Sequence, residues 1–208
     1  MTRPRITALL LVALVAVACS ACMPPVTGPA GAPLVAVVGD SITNAATKPI
    51  GAELGEYRRS VRGIDGIDLD AGYDELVAPA LTLDPDVLVI ELGVNSAREA
   101  WTSADLVDLE RILKATDSVP CVVWVTVTAT EPSYFDHLGD GTIATRIAGF
   151  TASLTKRLPA NPNVKVADYG AIERANPELI GPDGLHPTAA GSRSLARFID
   201  KSIADLCP

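Results

Sequence analysis

The chain has 208 residues, of which 48% are hydrophobic and 20% charged, enough for one domain with its own core and unlike a disordered polymer. The formal net charge is −8 and no basic stripe is visible, which excludes the usual electrostatic footprint of a nucleic-acid binder. Aromatic residues are only 4%, so the core must be built from Val, Leu, Ile and Ala.

At the N-terminus, Arg3 and Arg5 precede an apolar stretch over 6–18, too short to span a bilayer comfortably, and small residues follow. That order predicts a secretory signal, to be set aside before the fold is considered. The arginines are not adjacent, so a twin-arginine signal is not indicated. Ala16-Val17-Ala18-Cys19 resembles a bacterial lipobox, in which Cys19 would become the lipidated first residue. Ser20-Ala21-Cys22 offers a second candidate, and ordinary cleavage nearby would leave both cysteines as bystanders. Residues 1–22 are thus expected to be a signal peptide, the Pro- and Gly-containing 23–33 a flexible tether, and 34–208 the folded domain.

Within the domain, 34–38 (LVAVV) is a short apolar run before Gly39-Asp40-Ser41 and predicts a fully buried strand. Residues 57–62 form a weaker β-prone stretch ending at Gly63, and 71–81 predicts a helix closed by Asp84-Pro85. A second strong run, 87–92 (VLVIEL), ends at Gly93. The spacing of Leu106, Leu109, Ile112 and Leu113 predicts a helix over 103–116, with Ser103 a possible cap. Residues 121–127 (CVVWVTV) are a third buried strand, followed by a long loop over 128–141. Helix 142–158, a short strand at 164–167 and helix 188–206 complete the chain. Strands alternating with helices predict βαβ units and a parallel sheet covered on both faces. In such sheets ligands bind at the carboxyl ends of the strands. Three of the predicted exits carry glycine with polar residues: Gly39 to Ser41, Gly63 to Gly66, and Gly93 to Asn95.

A serine hydroxyl needs a base to become a nucleophile and donors aimed at the oxygen that turns negative during acyl transfer. Ser41 follows a buried strand, where a side chain is exposed and the adjacent backbone N–H groups are available. His186 lies in Asp183-Gly184-Leu185-His186-Pro187, and an Asp three residues earlier across a Gly-containing turn can hold the imidazole by Nδ1. Asn95, at another strand exit, can donate without charge, and Gly66 can contribute a backbone N–H, with Gly63 as its rival. Taken singly, each is as well explained by a helix cap or a turn.

Together, Gly39-Asp40-Ser41-Ile42-Thr43, Gly66, Gly93-Val94-Asn95 and Asp183-Gly184-Leu185-His186-Pro187 resemble, in order, the four sequence blocks of the SGNH hydrolases, also called GDSL esterases and lipases. The resemblance spans the whole of 34–208. It implies a three-layer α/β/α sandwich with a flavodoxin-like, five-stranded parallel sheet, and ester or thioester hydrolysis without metal or cofactor. It also implies Ser41 as nucleophile, His186 as base and then acid, Asp183 as its orienting partner, and an oxyanion hole from Ser41, Gly66 and Asn95. Many relatives have Asp after the block-three Asn, where this chain has Ser96. Neither a G-x-S-x-G elbow nor an H-E-x-x-H helix is present.

The expected activity is hydrolysis of a small ester, a lipid or an acylated glycan outside the cytoplasm by a monomer, with membrane contact only through lipidated Cys19 and no nucleic-acid partner. The same residues would serve an O-acyltransferase, and a non-catalytic binding lipoprotein could keep the fold. Trp101, Tyr134 and His137 are the candidate substrate contacts, the last two on the loop over 128–141. Cys121 opens a strand at the bottom of the sheet, and the last helix runs down from His186 at the top, which predicts a Cys121–Cys207 disulfide.

Overall fold

The computed structural model describes residues 22–99 and 102–207. Five strands form one parallel sheet: β1 (Leu34–Gly39), β2 (Arg58–Gly63), β3 (Val87–Glu91), β4 (Cys121–Thr126) and β5 (Val164–Asp168), in the order β2-β1-β3-β4-β5. The three central strands are buried along their whole length, which is why they read as unbroken apolar runs. The outer strands carry Arg58, Arg59, Arg62 and Lys165, because an edge strand has solvent beside it.

Helix α1 (Ser41–Glu53) crosses from β1 to β2, and the terminal helix α8 (Ala189–Leu206) packs against it. Pro49 inside α1 cannot donate to Ala45 O, and that carbonyl instead accepts from Ser192 Oγ of α8 at 3.4 Å. Right-handed crossovers put the remaining connections on the other face. These are α2 (Leu69–Gly72), a π-helical stretch Tyr73–Val77 and α3 (Ala78–Leu81), then α4 (Val94–Glu99), α5 (Ser103–Ala115) and α6 (Ile143–Thr155). The short α7 (Tyr169–Ala175) follows β5. The three-layer α/β/α arrangement is the one the sequence predicts.

The differences are local. Helices α4 and α7 are too short to show a periodic face in the sequence. Thr102, not Ser103, caps α5, because its hydroxyl accepts from Asp105 N while the Asp105 carboxylate accepts from Thr102 N, a reciprocal pair that Ser103 has no partner to form. Residues 24–27, within the stretch expected as a tether, lie against β2. Thr27 and Arg59 exchange backbone hydrogen bonds of 3.0 and 2.7 Å, and Ser60 Oγ donates to Pro24 O. This contact covers part of an edge that would otherwise present bare N–H and C=O groups. At the bottom of the sheet Cys121 and Cys207 form the expected disulfide, with Cα atoms 5.7 Å apart. Residues 1–21 of the expected signal, Cys19 among them, and Trp101 lie outside the described residues.

Candidate active site

The order of the sheet reverses at β1, which has β2 on one side and β3 on the other. At this switch point the connections leave in opposite directions and open a crevice above the strand ends. A cleft of about 480 Å³ lies there, with Ser41, Gly66, Asn95 and His186 in its wall.

Ser41 is the first residue of α1, so its position is set by the end of β1 and the helix start. Asp40 caps the helix, its Oδ1 accepting from Ile42 N at 3.0 Å. From the far end of the chain, His186 Nε2 comes within 2.9 Å of Ser41 Oγ. The other ring nitrogen, Nδ1, is 2.6 Å from Asp183 Oδ2. Asp183 Oδ1 accepts from Leu185 N and His186 N, each at 3.0 Å. The turn between them depends on Gly184, whose φ is +79° and where a Cβ would sit 2.9 Å from Ser133. Burial works against the charged form of Asp183, but the hydrogen bonds from the His186 ring and the two backbone N–H groups prevail and hold its carboxyl below the usual range.

Asn95 enters the cleft from the first turn of α4. Gly93 turns the chain out of β3 with φ of +119°, and a Cβ there would strike the Phe150 ring at 2.4 Å. Asn95 Nδ2 donates to Ile67 O at 3.0 Å and, more weakly, to Asp40 Oδ2 at 3.3 Å. Of the rival glycines, Gly66 lines the cleft, whereas Gly63 ends β2 against the backbone of Asn44. Ser96 is buried and accepts from Leu69 N at 3.1 Å, so the residue that departs from the common pattern joins α4 to α2.

The sequence blocks and the structure agree in a way that decides the family. Residues 37–193 match the GDSL-like lipase/acylhydrolase family. The chain belongs to this family. No curated protein matches it by sequence. Among solved structures it is similar to a lipase/acylhydrolase from Enterococcus faecalis, with a TM-score of 0.69 and 22% identity over 84% of this chain and 97% of that one. The C-terminal catalytic domain of a Streptococcus pneumoniae peptidoglycan O-acetyltransferase is similar at a TM-score of 0.64, with 17% identity over 84% and 94% of the two chains. An acetylxylan esterase from Geobacillus stearothermophilus gives 0.61, with 17% identity over 82% and 94%. At these identities the likeness is one of fold.

By family this chain has a GDSL-type hydrolase fold, and its other predicted contacts can be placed on that scaffold. The loop over 128–141 does reach the cleft, but through Phe135, whose ring meets the His186 ring edge-on at 5.8 Å. Tyr134 is 70% exposed and lies, with His137, outside the cleft wall. Asn44, Asp65 and Arg98 line the cleft and were missed in the sequence, because their positions depend on how α1, the β2 exit and α4 converge. Among the described residues, no group of three or more His, Cys, Asp or Glu side chains is placed to hold a metal.

The loop is tied down at both ends. Ser133 Oγ donates to Asp183 O at 3.0 Å, and Tyr134 N donates to the same carbonyl. Arg146 of α6, which is buried, donates to Ala97 O, Phe135 O and Gly141 O and so joins α4 to the loop. Thr128 N, where the loop begins, donates to Glu173 Oε2 at 2.8 Å. Burial pushes the Glu173 carboxyl up to about 8, against the opposing pull of Thr128 N and Arg174. The folded chain therefore holds a proton that the unfolded chain releases near pH 4–5, and stability falls as pH rises through the window up to about 8. Replacing Glu173 with Gln keeps an acceptor for Thr128 N and removes this penalty. The expected result is a gain of about 1–3 kcal/mol at pH 8 that disappears at about pH 4, read from urea unfolding at both values. An equal effect at both values would contradict it.

Proposed function

We propose that this chain is an exported serine esterase of the carboxylesterase/lipase type, using Ser41, His186 and Asp183 as its triad. The observation that carries the reading is the 2.9 Å approach of His186 Nε2 to Ser41 Oγ inside a cleft, with the same imidazole held from behind by Asp183. In this reading His186 takes the proton from Ser41 Oγ as that oxygen attacks the ester carbonyl. The negative oxygen that develops is met by Ser41 N–H, Gly66 N–H and Asn95 Nδ2. His186 then gives the proton to the departing alkoxide, the acyl group remains on Ser41, and a water activated by His186 releases it as the acid. Asp183, which stays charged, favours the imidazolium formed in each half.

The substrate class is a small ester, a lipid or an acylated glycan. The cleft is open to solvent and Phe135 provides an apolar wall beside His186. Export is supported by the signal-like N-terminus and by the Cys121–Cys207 disulfide, which belongs to an oxidising compartment. Cys19 is the proposed lipid attachment site, and mass spectrometry of the mature N-terminus tests it.

The activity is tested with p-nitrophenyl esters of increasing acyl length and with acetylated glycans, using Ser41→Ala as control. Turnover by the native chain is expected, with a loss of about 10⁴–10⁶ in kcat in the variant. Free acid as product identifies hydrolysis, whereas transfer to an added sugar hydroxyl identifies an acyltransferase. A native protein with no turnover, whose behaviour Ser41→Ala reproduces, would refute a catalytic role.

A further inference from the structure

Two acidic side chains lie directly beneath the proposed oxyanion hole and take no part in the triad. Asp40 is 0% exposed and Glu91 is 1% exposed. They sit at the ends of neighbouring strands, and Asp40 N donates to Glu91 O at 3.1 Å. Their carboxyl groups act on each other, which favours charge on Asp40 and the proton on Glu91. Glu91 Oε2 also accepts from Thr43 N at 3.2 Å and Thr43 Oγ1 at 2.9 Å, which ties it to the first turn of α1. Asp40 accepts from Ile42 N and from Asn95 Nδ2. The pair thus touches both the helix that begins at Ser41 and the side chain assigned to the oxyanion.

Two carboxylates buried side by side, out of reach of bulk solvent, disfavour the doubly charged state. We propose that Glu91 is a positioning residue, which keeps one proton on the Asp40–Glu91 pair and thereby limits the negative charge behind Asn95. The proposal rests on the esterase reading and deepens it. Asn95 Nδ2–H is shared with Asp40 at 3.3 Å, a long contact. A fully charged, unshared Asp40 would draw that hydrogen towards itself, in direct competition with the oxyanion. With Glu91 donating to Asp40, the hold stays weak and the hydrogen remains available to the substrate oxygen. The charged and titratable groups facing the pair are Asp65 at the cleft mouth, which disfavours charge on Asp40, and His186 across the cleft, which favours it. Burial pushes Asp40 up to about 6, and burial and Asp40 together push Glu91 well above the usual range.

The test uses the whole chain and the variants Glu91→Gln and Glu91→Ala. Infrared difference spectra between the native chain and Glu91→Gln should show one protonated-carboxyl band at pH 7 that the variant lacks. No such band would mean that both groups are ionised, which overturns the proposal without any substrate. The Asn95 side-chain 15N shift should follow the pair's alkaline titration in the native chain and stay flat in Glu91→Gln. With p-nitrophenyl acetate, Glu91→Ala should lower kcat about 10–100-fold with KM within about twofold, part of the loss seen when an oxyanion donor is removed. Glu91→Gln, which can still donate to Asp40 but cannot ionise, should rescue most of that loss and lack the alkaline decline in kcat. Equal losses in the two variants, or an unchanged alkaline decline in Glu91→Gln, would overturn it. A native chain without ester turnover would defeat the esterase reading alone, because the infrared and 15N results decide the Glu91 assignment independently.

Discussion

Asp183→Asn is expected to lose about 10³–10⁴ in kcat while KM and the melting temperature change little. Asp183 has two separate duties. Its Oδ1 accepts from Leu185 N and His186 N and so shapes the turn, while its Oδ2 faces His186 Nδ1. An asparagine oxygen can keep the two backbone bonds, so the turn should survive. Its NH₂ group then faces Nδ1 and makes that nitrogen an acceptor. The ring proton must move to Nε2, where it points at Ser41, and the hydroxyl loses its base. The negative charge that stabilises the imidazolium is lost as well. Because Asp183 is held below the usual carboxylate range, it is charged across the neutral range in the native chain, and raising the pH should not restore the variant. Steady-state kinetics beside a thermal melt separates this outcome from unfolding. Near-native turnover by Asp183→Asn would show that His186 does not depend on Asp183 for its tautomer or its charge.

The second large effect concerns stability. Removing the Cys121–Cys207 bond, by reduction or by a Cys121→Ser, Cys207→Ser double variant, is expected to cost about 3–5 kcal/mol. The bond joins residues 86 apart in sequence, so it removes much of the freedom of the unfolded chain. It links the start of β4 to the foot of α8. That helix begins at the Thr188 cap just after His186 and packs along α1, which begins at Ser41. The melting temperature should fall by about 10 °C, while kcat well below the transition stays close to native. Identical melts with and without reductant would contradict the prediction.

Much of this architecture is legible in the sequence. The β1, β3 and β4 runs are apolar at consecutive positions because both sheet faces are covered, and that pattern needs no partner to be recognised. Helices α5, α6 and α8 announce themselves by one apolar face and a polar start. The short α4 and α7 give no such repeat, and Thr102 outranks Ser103 as a cap only through its exchange with Asp105.

The candidate site divides along the same line. Ser41, Asn95, Asp183 and His186 read as candidates because each sits in a short local block whose residue types suit acyl transfer. Phe135 was not singled out from the exposed Tyr134 and His137 beside it, since which loop side chain turns inward depends on the ties to Asp183 and Arg146. Neither Asp40 nor Glu91 reads as unusual in the sequence, where one is a helix cap and the other the end of a strand.

The sequence by itself determined the class of sheet, the order of strands and helices along the chain, and the chemical inventory at the strand exits. These follow from apolar periodicity and from short-range constraints on turns and caps, which neighbouring residues impose on one another. The tertiary structure alone decided that β1 stands between β2 and β3, so that exits distant in sequence open into one cleft. It also decided that a histidine 145 residues from Ser41 arrives 2.9 Å from its hydroxyl, and that Asp40 and Glu91 are buried at neighbouring strand ends. Such approaches depend on packing between elements, and burial, not residue type, sets the charge that an acid carries there.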